Sequence, residues 1–413
     1  MNKLTISASM IGTIIEWYDV FIFSSGAFYI GEELFPSKNP LAAVLNVLLI
    51  FALGFVTRPV GALLFGHFGD RRGRRYSLLY TLLISGISSG LVGLLPTYQQ
   101  VGSITIVSLV ILRLLLGLGL GGEWGGAVLL TVENSEGRRA FYTAFIQSTV
   151  GIGLLLGSLV FLGLSTTLSQ AEMLSFGWRI PFLLSFLMVG IGLVIRLRVD
   201  ETALFVRVKE RGMLLSFPSG EMFRKYWREL LLGTVVAGAL GTVFYVGAIL
   251  LPVFYKLTGA ISSSLSFEGT ALFAIADIVM VFAGGWLADK VGRRPILILA
   301  NLLALITIYP AFIFRSVDSF FLMLLLFGIY HGMGYSPLAA MVSEIFPTNV
   351  RYTGASSSYQ FGNSFLGGPA SYVSADLGSV NYLLYPVYTV VLVIITLAFL
   401  AKSKESKGVE LAQ

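Results

Sequence analysis

The chain has no cysteine in 413 residues, which excludes disulfides and thiolate metal sites. Charge is scarce as well. Asp, Glu, Lys and Arg make up 12% of the residues, against roughly 25% in soluble domains. Histidine occurs only at His67 and His331, and there is neither an H-E-x-x-H zinc motif nor a G-x-x-x-x-G-K-S/T phosphate loop. Zinc-protease chemistry and ATP-driven work are therefore set aside, no metal or cofactor is expected, and the chain does not read as an enzyme. The net charge of +6 is not gathered into a nucleic-acid-binding face.

What the chain has instead is apolar length. Fifty-six per cent of its residues are hydrophobic, more than a water-soluble core can hide, so the bilayer must be its solvent. Runs of about 20 apolar residues fall near 8–30, 42–65, 76–95, 103–131, 140–166, 178–197, 229–254, 268–288, 295–314, 319–342, 353–376 and 382–401. Stretches such as Phe182 to Ile195 do not alternate in polarity, which favours helices over a membrane barrel. The expected fold is an all-α membrane protein with twelve transmembrane helices in two six-helix bundles. The first bundle covers 1–197, a charged linker 198–228, the second bundle 229–401, and a tail 402–413 that reads as disordered. Only Lys3 precedes the first run, which continues through Glu16 and Asp19, so it reads as a span rather than a cleavable leader.

Lys and Arg set the expected orientation. With the N-terminus inside, 22 of the 28 fall on the cytoplasmic side. Four (Lys38, Arg179, Lys256 and Arg315) fall outside, and Arg58 and Arg113 lie within spans. This asymmetry places both termini in the cytoplasm of a multi-pass cell-membrane protein.

One ten-residue pattern occurs twice. Gly66-His-Phe-Gly-Asp70-Arg71-Arg72-Gly73-Arg74-Arg75 returns as Gly285-Trp-Leu-Ala-Asp289-Lys290-Val-Gly292-Arg293-Arg294. Both read G-x-x-x-D-[R/K]-x-G-R-R, between the second and third spans of each half, which marks a transporter built from repeats. The doubled turn resembles the signature of the major facilitator superfamily. Further stretches are similar to its metabolite:proton symporter family: Glu16-Trp17-Tyr18-Asp19, Arg58-Pro59-Val60-Gly61, and Arg113-x3-Gly117-x-Gly119-x-Gly121-Gly122-Glu123. So are Gly177-Trp178-Arg179-Ile180-Pro181-Phe182, Asp200-Glu201-Thr202-x-x-Phe205 and Glu344-Ile-Phe346-Pro347-Thr348-x-x-Arg351-Tyr-Thr353-Gly354. The match spans nearly the whole chain. It implies the major facilitator fold and secondary active, proton-coupled symport of a small organic acid or zwitterion, the family's substrates including proline and betaine, citrate, dicarboxylates and shikimate. A proton-linked sugar porter is the alternative, because Gln147 precedes Gly151, Gly153 and Gly157 as in sugar porters. The seventh span, however, has no Gln or Asn. A proton-driven exporter is a further alternative, since direction is not written in sequence. A monomer is expected.

An ionisable side chain in hydrocarbon is costly unless paired or hydrated, so the buried charges carry the functional information. Glu16 and Asp19 are three apart on one face of the first span. At about 1.5 Å per residue, Asp19 and Arg113 reach similar depth near the midplane. A carboxylate beside a guanidinium keeps its charge, and withdrawing the guanidinium favours its protonated form. Asp19, Arg113 and Glu16 are therefore the expected proton-coupling group, as the resemblance also implies. Arg58 is the expected anchor for a substrate carboxylate, with Glu123 near it, and Pro59 disfavours helical geometry there. Asp277 stands 12 residues before Asp289, as Arg58 stands before Asp70, so the two halves present opposite charges at matching depth. His331, Tyr335, Tyr18, Trp124, Gln147, Tyr359, Gln360 and Asn363 complete the expected cavity lining.

The signature turns suggest a cytoplasmic gate. Its members would be Asp70, Arg71, Gly73 and Arg74 with Glu133 and Arg138 in one half, and Asp289, Gly292, Arg293, Glu344 and Arg351 in the other. Glu133 is expected to face Arg138 and Arg139, and Glu344 to face Arg351.

Overall fold

The computed structural model describes residues 3–35, 40–135, 137–261 and 263–411. Lys38 lies outside the described residues, as does the side chain of Lys256. Twelve long helices follow the apolar runs. In the first half they are α1 (Lys3–Ser25), α2 (Pro40–Arg72), α3 (Arg74–Val92), α4 (Ser103–Glu133), α5 (Arg139–Gln147, continued by Thr149–Thr167) and α6 (Arg179–Leu197). The second half opens with α7 (Trp227–Phe244, a π-helical turn Tyr245–Leu250, then Leu251–Leu257), α8 (Ser263–Val291) and α9 (Arg293–Ile313). It closes with α10 (Val317–Glu344), α11 (Arg351–Phe361, a π-helical turn Gly362–Gly367, then Ala370–Val380) and α12 (Val387–Lys402). Among the described residues there is no strand, and nine helices are long and apolar enough to cross a membrane by composition alone.

Within each half, helices approach closely where glycine removes the side chain. A Cβ on Gly117 or Gly121 of α4 would stand 2.1 or 2.2 Å from the carbonyl oxygens of Gly54 and Arg58 in α2. In the second half, Gly328 and Gly332 of α10 meet the carbonyls of Phe273 and Asp277 in α8 in the same way. The halves meet along α2 against α11 and α5 against α8. These two seams enclose the site.

The signature turns look alike in three dimensions. Gly73 and Gly292 have φ of 116° and 119°, a conformation that side chains rarely adopt, and each reverses the chain between two long helices. The linker 198–228 contains two short helices, Ala203–Glu210 and Pro218–Lys225.

Two expectations need correction. Helix α2 runs unbroken through Pro59. Proline has no N–H for the Phe55 carbonyl one turn back, and the hydroxyl of Ser364 on α11 fills that position at 3.1 Å. The tail, expected to be disordered, packs against helix ends over 403–411, and 412–413 lie outside the described residues. The Glu405 carboxylate accepts the N–H groups of Arg293 and Arg294 at 2.8 and 3.0 Å, capping α9. Ser406 donates to Glu344 at 2.8 Å, and the Leu411 carbonyl accepts from Arg351 at 2.7 Å. The tail is charged, but its charges and carbonyls meet unsatisfied groups at helix ends.

Candidate functional site

Asp19 and Arg113 form a two-pronged ion pair. Arg113 donates through both terminal nitrogens to the two carboxylate oxygens, at 2.7 and 3.2 Å. Ser89 of α3 donates a third hydrogen bond to Asp19 at 2.5 Å, and the Phe23 ring lies 4.0 Å from the guanidinium carbon. Both side chains are buried. An acid from α1 and a base from α4 thus meet deep inside the first half.

Arg58 and Glu16 are held more loosely. They share one contact of 3.3 Å, and both Glu16 Oε2 and Arg58 Nε are buried without a hydrogen-bond partner among the described residues. The Phe55 ring lies 4.3 Å from the Arg58 guanidinium carbon. Arg58 therefore keeps unused donors beside a seam between the halves. Glu123 is not its partner. It is paired with Arg196 of α6 and accepts from Thr81 of α3, entirely within the first half. Arg196, counted above only for topology, is thus a buried charge needed to neutralise Glu123. Tyr18 also turns away from the seam, donating to the Pro181 carbonyl of α6 at 2.7 Å.

In the second half, His331 Nδ1 and Asp277 Oδ1 stand 2.7 Å apart. Around them runs an aromatic wall. The Phe244 ring centroid lies 4.9 Å from that of His331, 5.7 Å from Phe273, 5.3 Å from Tyr245 and 6.1 Å from Trp17. A cavity of about 130 Å³ opens between α1, α5, α7 and α8 against this wall, and Asp277 is part of its lining. A second space of about 10 Å³ continues beneath it to His331, Tyr335, Tyr359 and Asn363.

Below the cavity the halves are plugged. Trp124 of α4 stacks on Tyr359 of α11, with centroids 3.7 Å apart and planes 8° from parallel. Trp124 Nε1 donates to Gln147 at 3.0 Å, and Gln147 donates onward to the Tyr335 carbonyl at 3.1 Å. The hydroxyls of Tyr335 and Tyr359 meet at 2.5 Å. Gln360 adds a contact from α11 to the Leu120 carbonyl of α4 at 3.3 Å, while Asn363 donates to the Tyr359 carbonyl one turn back. Gln147 and Trp124 are therefore engaged in closing the seam. Trp124, Gln147, Tyr335 and Tyr359 stand eight or nine positions from the ends Glu133, Arg139, Glu344 and Arg351 of their helices, roughly 12–14 Å in depth.

The turn end is latched by exchange between halves. Asp70 accepts the N–H groups of Tyr352 and Thr353 at 3.1 and 2.9 Å and the Thr353 hydroxyl at 2.8 Å, capping α11. Asp289 accepts the N–H groups of Ala140 and Phe141 at 3.1 and 2.9 Å, capping α5. Each signature aspartate thus caps a helix of the opposite half. The expected acid–base partners are also exchanged. Glu133 takes Arg74 at 3.4 Å and Arg351 at 3.3 Å, whereas Glu344 takes Arg293 at 2.9 Å and Arg139 at 3.3 Å. Arg71 and Arg138 are exposed and take no part in an ion pair among the described residues. The work assigned to Arg138 falls to its neighbour Arg139.

Comparison with known proteins agrees with this architecture. A family model described as "Sugar (and other) transporter" matches residues 4–213, and one described as "Major Facilitator Superfamily" matches 258–412. The inner membrane metabolite transport protein YhjE of Escherichia coli is 37% identical over 393 residues, covering 92% of this chain and 88% of its own. A citrate-proton symporter of Salmonella typhi is 30% identical over 374 residues, covering 89% and 85%. Among solved structures, the proton:xylose symporter XylE bound to 6-bromo-6-deoxy-D-glucose superimposes with a TM-score of 0.80 at 18% identity, covering 99% of this chain and 97% of that one. The chain belongs to the major facilitator superfamily. It is a multi-pass membrane transporter, not an enzyme, and it resembles the superfamily's metabolite:proton symporters.

Proposed function

We propose that the chain is a proton-coupled symporter that carries a small organic acid or zwitterion by alternating access. The observation that carries this reading is the buried Asp19–Arg113 pair, whose carboxylate is held by two guanidinium contacts and one hydroxyl. Protonating Asp19 releases Arg113, and ionising it draws Arg113 back, so proton occupancy is tied to the relative position of α1 and α4. Arg58, with spare donors, is the anchor for a substrate carboxylate. The halves 1–197 and 229–401 rock against each other, tethered by 198–228. The turn face is the cytoplasmic one, as the Lys and Arg asymmetry supports. The latch and plug close that face here, and opening inward breaks Glu133–Arg351 and Arg139–Glu344 and separates Trp124 from Tyr359.

The test is uptake into proteoliposomes from a panel of carboxylates and zwitterions, under an imposed inward proton gradient. Accumulation above the external concentration, abolished by a protonophore, is the expected result. Uptake indifferent to the gradient would remove the proton from the mechanism.

A further inference from the structure

The segment after α12 does more than cap α9. Ser406 and Leu411 are buried and 407–410 are exposed, so the segment arches between two inward anchors. Gly408, at φ 85°, turns the arch, and the Val409 N–H closes the turn on the Ser406 carbonyl at 3.2 Å. Beyond the turn, two backbone carbonyls meet the two arginines that join the halves. Arg139 of α5 donates to the Val409 carbonyl at 2.8 Å, and Arg351 of α11 donates to the Leu411 carbonyl at 2.7 Å. Each arginine is nearer to its carbonyl than to its acid of the opposite half, which stands at 3.3 Å in both cases.

The segment is fixed to the second half at several points. Ser406 donates to Glu344 at 2.8 Å, Lys407 Nζ to the Lys290 carbonyl at 2.6 Å, and the Thr348 hydroxyl to the Leu411 carbonyl at 2.5 Å. On the first half it holds Arg139. Thr348 adds a second link, because its own carbonyl accepts from Arg74 of α3 at 2.8 Å.

We propose that residues 406–411 are a strap that holds the turn face shut by supplying the acceptors for Arg139 and Arg351 at the seam. This rests on the alternating-access reading above. When the halves part at this face, the strap stays with the second half and Arg139 leaves it. The Arg139–Val409 bond then exists in the closed state alone, and a contact biases an equilibrium only when the two states differ in it. Arg351 adds to the bias. It is 1% exposed, so without the Leu411 carbonyl its guanidinium is buried with an unmet donor while the face is shut, and water meets that donor once the face opens.

The test reads the strap without substrate or proton gradient. Ser357→Cys and Ser374→Cys, at fully buried positions towards opposite ends of α11, are made singly in the full-length protein and in a chain stopped after Lys407. The shortened chain retains Glu405 and Ser406. Labelling of the purified protein by a water-soluble maleimide follows the population of the open form. Stopping the chain should speed labelling of Ser357→Cys roughly three- to tenfold and leave Ser374→Cys no faster. An unchanged rate at Ser357→Cys would overturn the proposal, as would equal acceleration at both positions, which is general loosening. Gly408→Val covers the case in which the shortened chain does not fold. A Cβ at 408 meets nothing within 4 Å, so this substitution acts through φ and keeps the tail at full length. It should give a smaller acceleration, again confined to Ser357→Cys, and is judged by the same two outcomes. Glu133→Gln separates the readings. Acceleration there, with none in either tail variant, would remove the strap and leave the rocking halves standing. No acceleration in any variant would remove both.

Discussion

Arg351, in the first turn of α11, reaches Glu133, at the end of α4, at 3.3 Å across 218 positions of sequence. Arg139 makes the reciprocal contact with Glu344, also at 3.3 Å. Glu133 and Glu344 are each held in place by an arginine of their own signature turn, Arg74 and Arg293. The turn therefore fixes an acid in its own half, and a single arginine from the other half completes the lock.

Glu133→Gln removes a buried charge that two arginines share. Because those arginines stay buried, the closed turn face should lose several-fold or more in population. The chain lacks cysteine, so one introduced residue reports accessibility cleanly. Ser357→Cys, at a fully buried position on α11, should react with a water-soluble maleimide several-fold faster when Glu133→Gln is added. An unchanged rate would mean that the ion pairs do not hold this face shut.

Asp70 acts through backbone capping rather than charge alone. Asp70→Ala leaves the N–H groups of Tyr352 and Thr353 without their acceptor, a loss of about 0.5–2 kcal/mol. Gly73→Ala strains a left-handed φ, costing about 1–3 kcal/mol, and its methyl would also meet the Glu201 carboxylate. Both substitutions should lower the midpoint of thermal unfolding in detergent. A midpoint unchanged in Gly73→Ala would contradict the turn geometry.

The stacked pair Trp124–Tyr359 separates the cavity from the latch. Tyr359→Ala removes one face of the stack and the hydroxyl contact with Tyr335, so it should raise passive efflux of preloaded substrate from proteoliposomes several-fold. Tyr359→Phe retains the stack and should leak much less. Equal leakage in the two variants would assign the seal to the hydroxyls rather than to the rings.

Much of this architecture was legible in the residues. Twelve apolar runs became twelve helices, and among the described residues nine of them qualify as spans by length and hydropathy alone. Asp19 and Arg113 met because depth along a helix follows from counting residues. Partner choice was less legible. Glu133 reads as the neighbour of Arg138 and Arg139, yet its partners come from α3, packed beside it in the same half, and from α11, brought near by docking of the halves. Arg196 reads as a topology signal because it sits at the end of a span, and its inward direction depends on the rotation of α6 against α4. The π-helical turns at Tyr245–Leu250 and Gly362–Gly367 have no sequence pattern that marks them, although both lie beside the cavity or plug. The tail misled through composition: its charges suit solvent equally well until helix ends with unmet N–H groups lie beneath them.

The central claim is that Asp19 ties proton movement to substrate movement. Asp19→Asn preserves shape and one acceptor oxygen but cannot ionise. The decisive measurement compares uphill uptake under a proton gradient with substrate exchange at equal pH, in the same proteoliposomes. The account predicts that uphill accumulation is lost while exchange continues at a measurable rate. Uphill accumulation that survives in Asp19→Asn would contradict it.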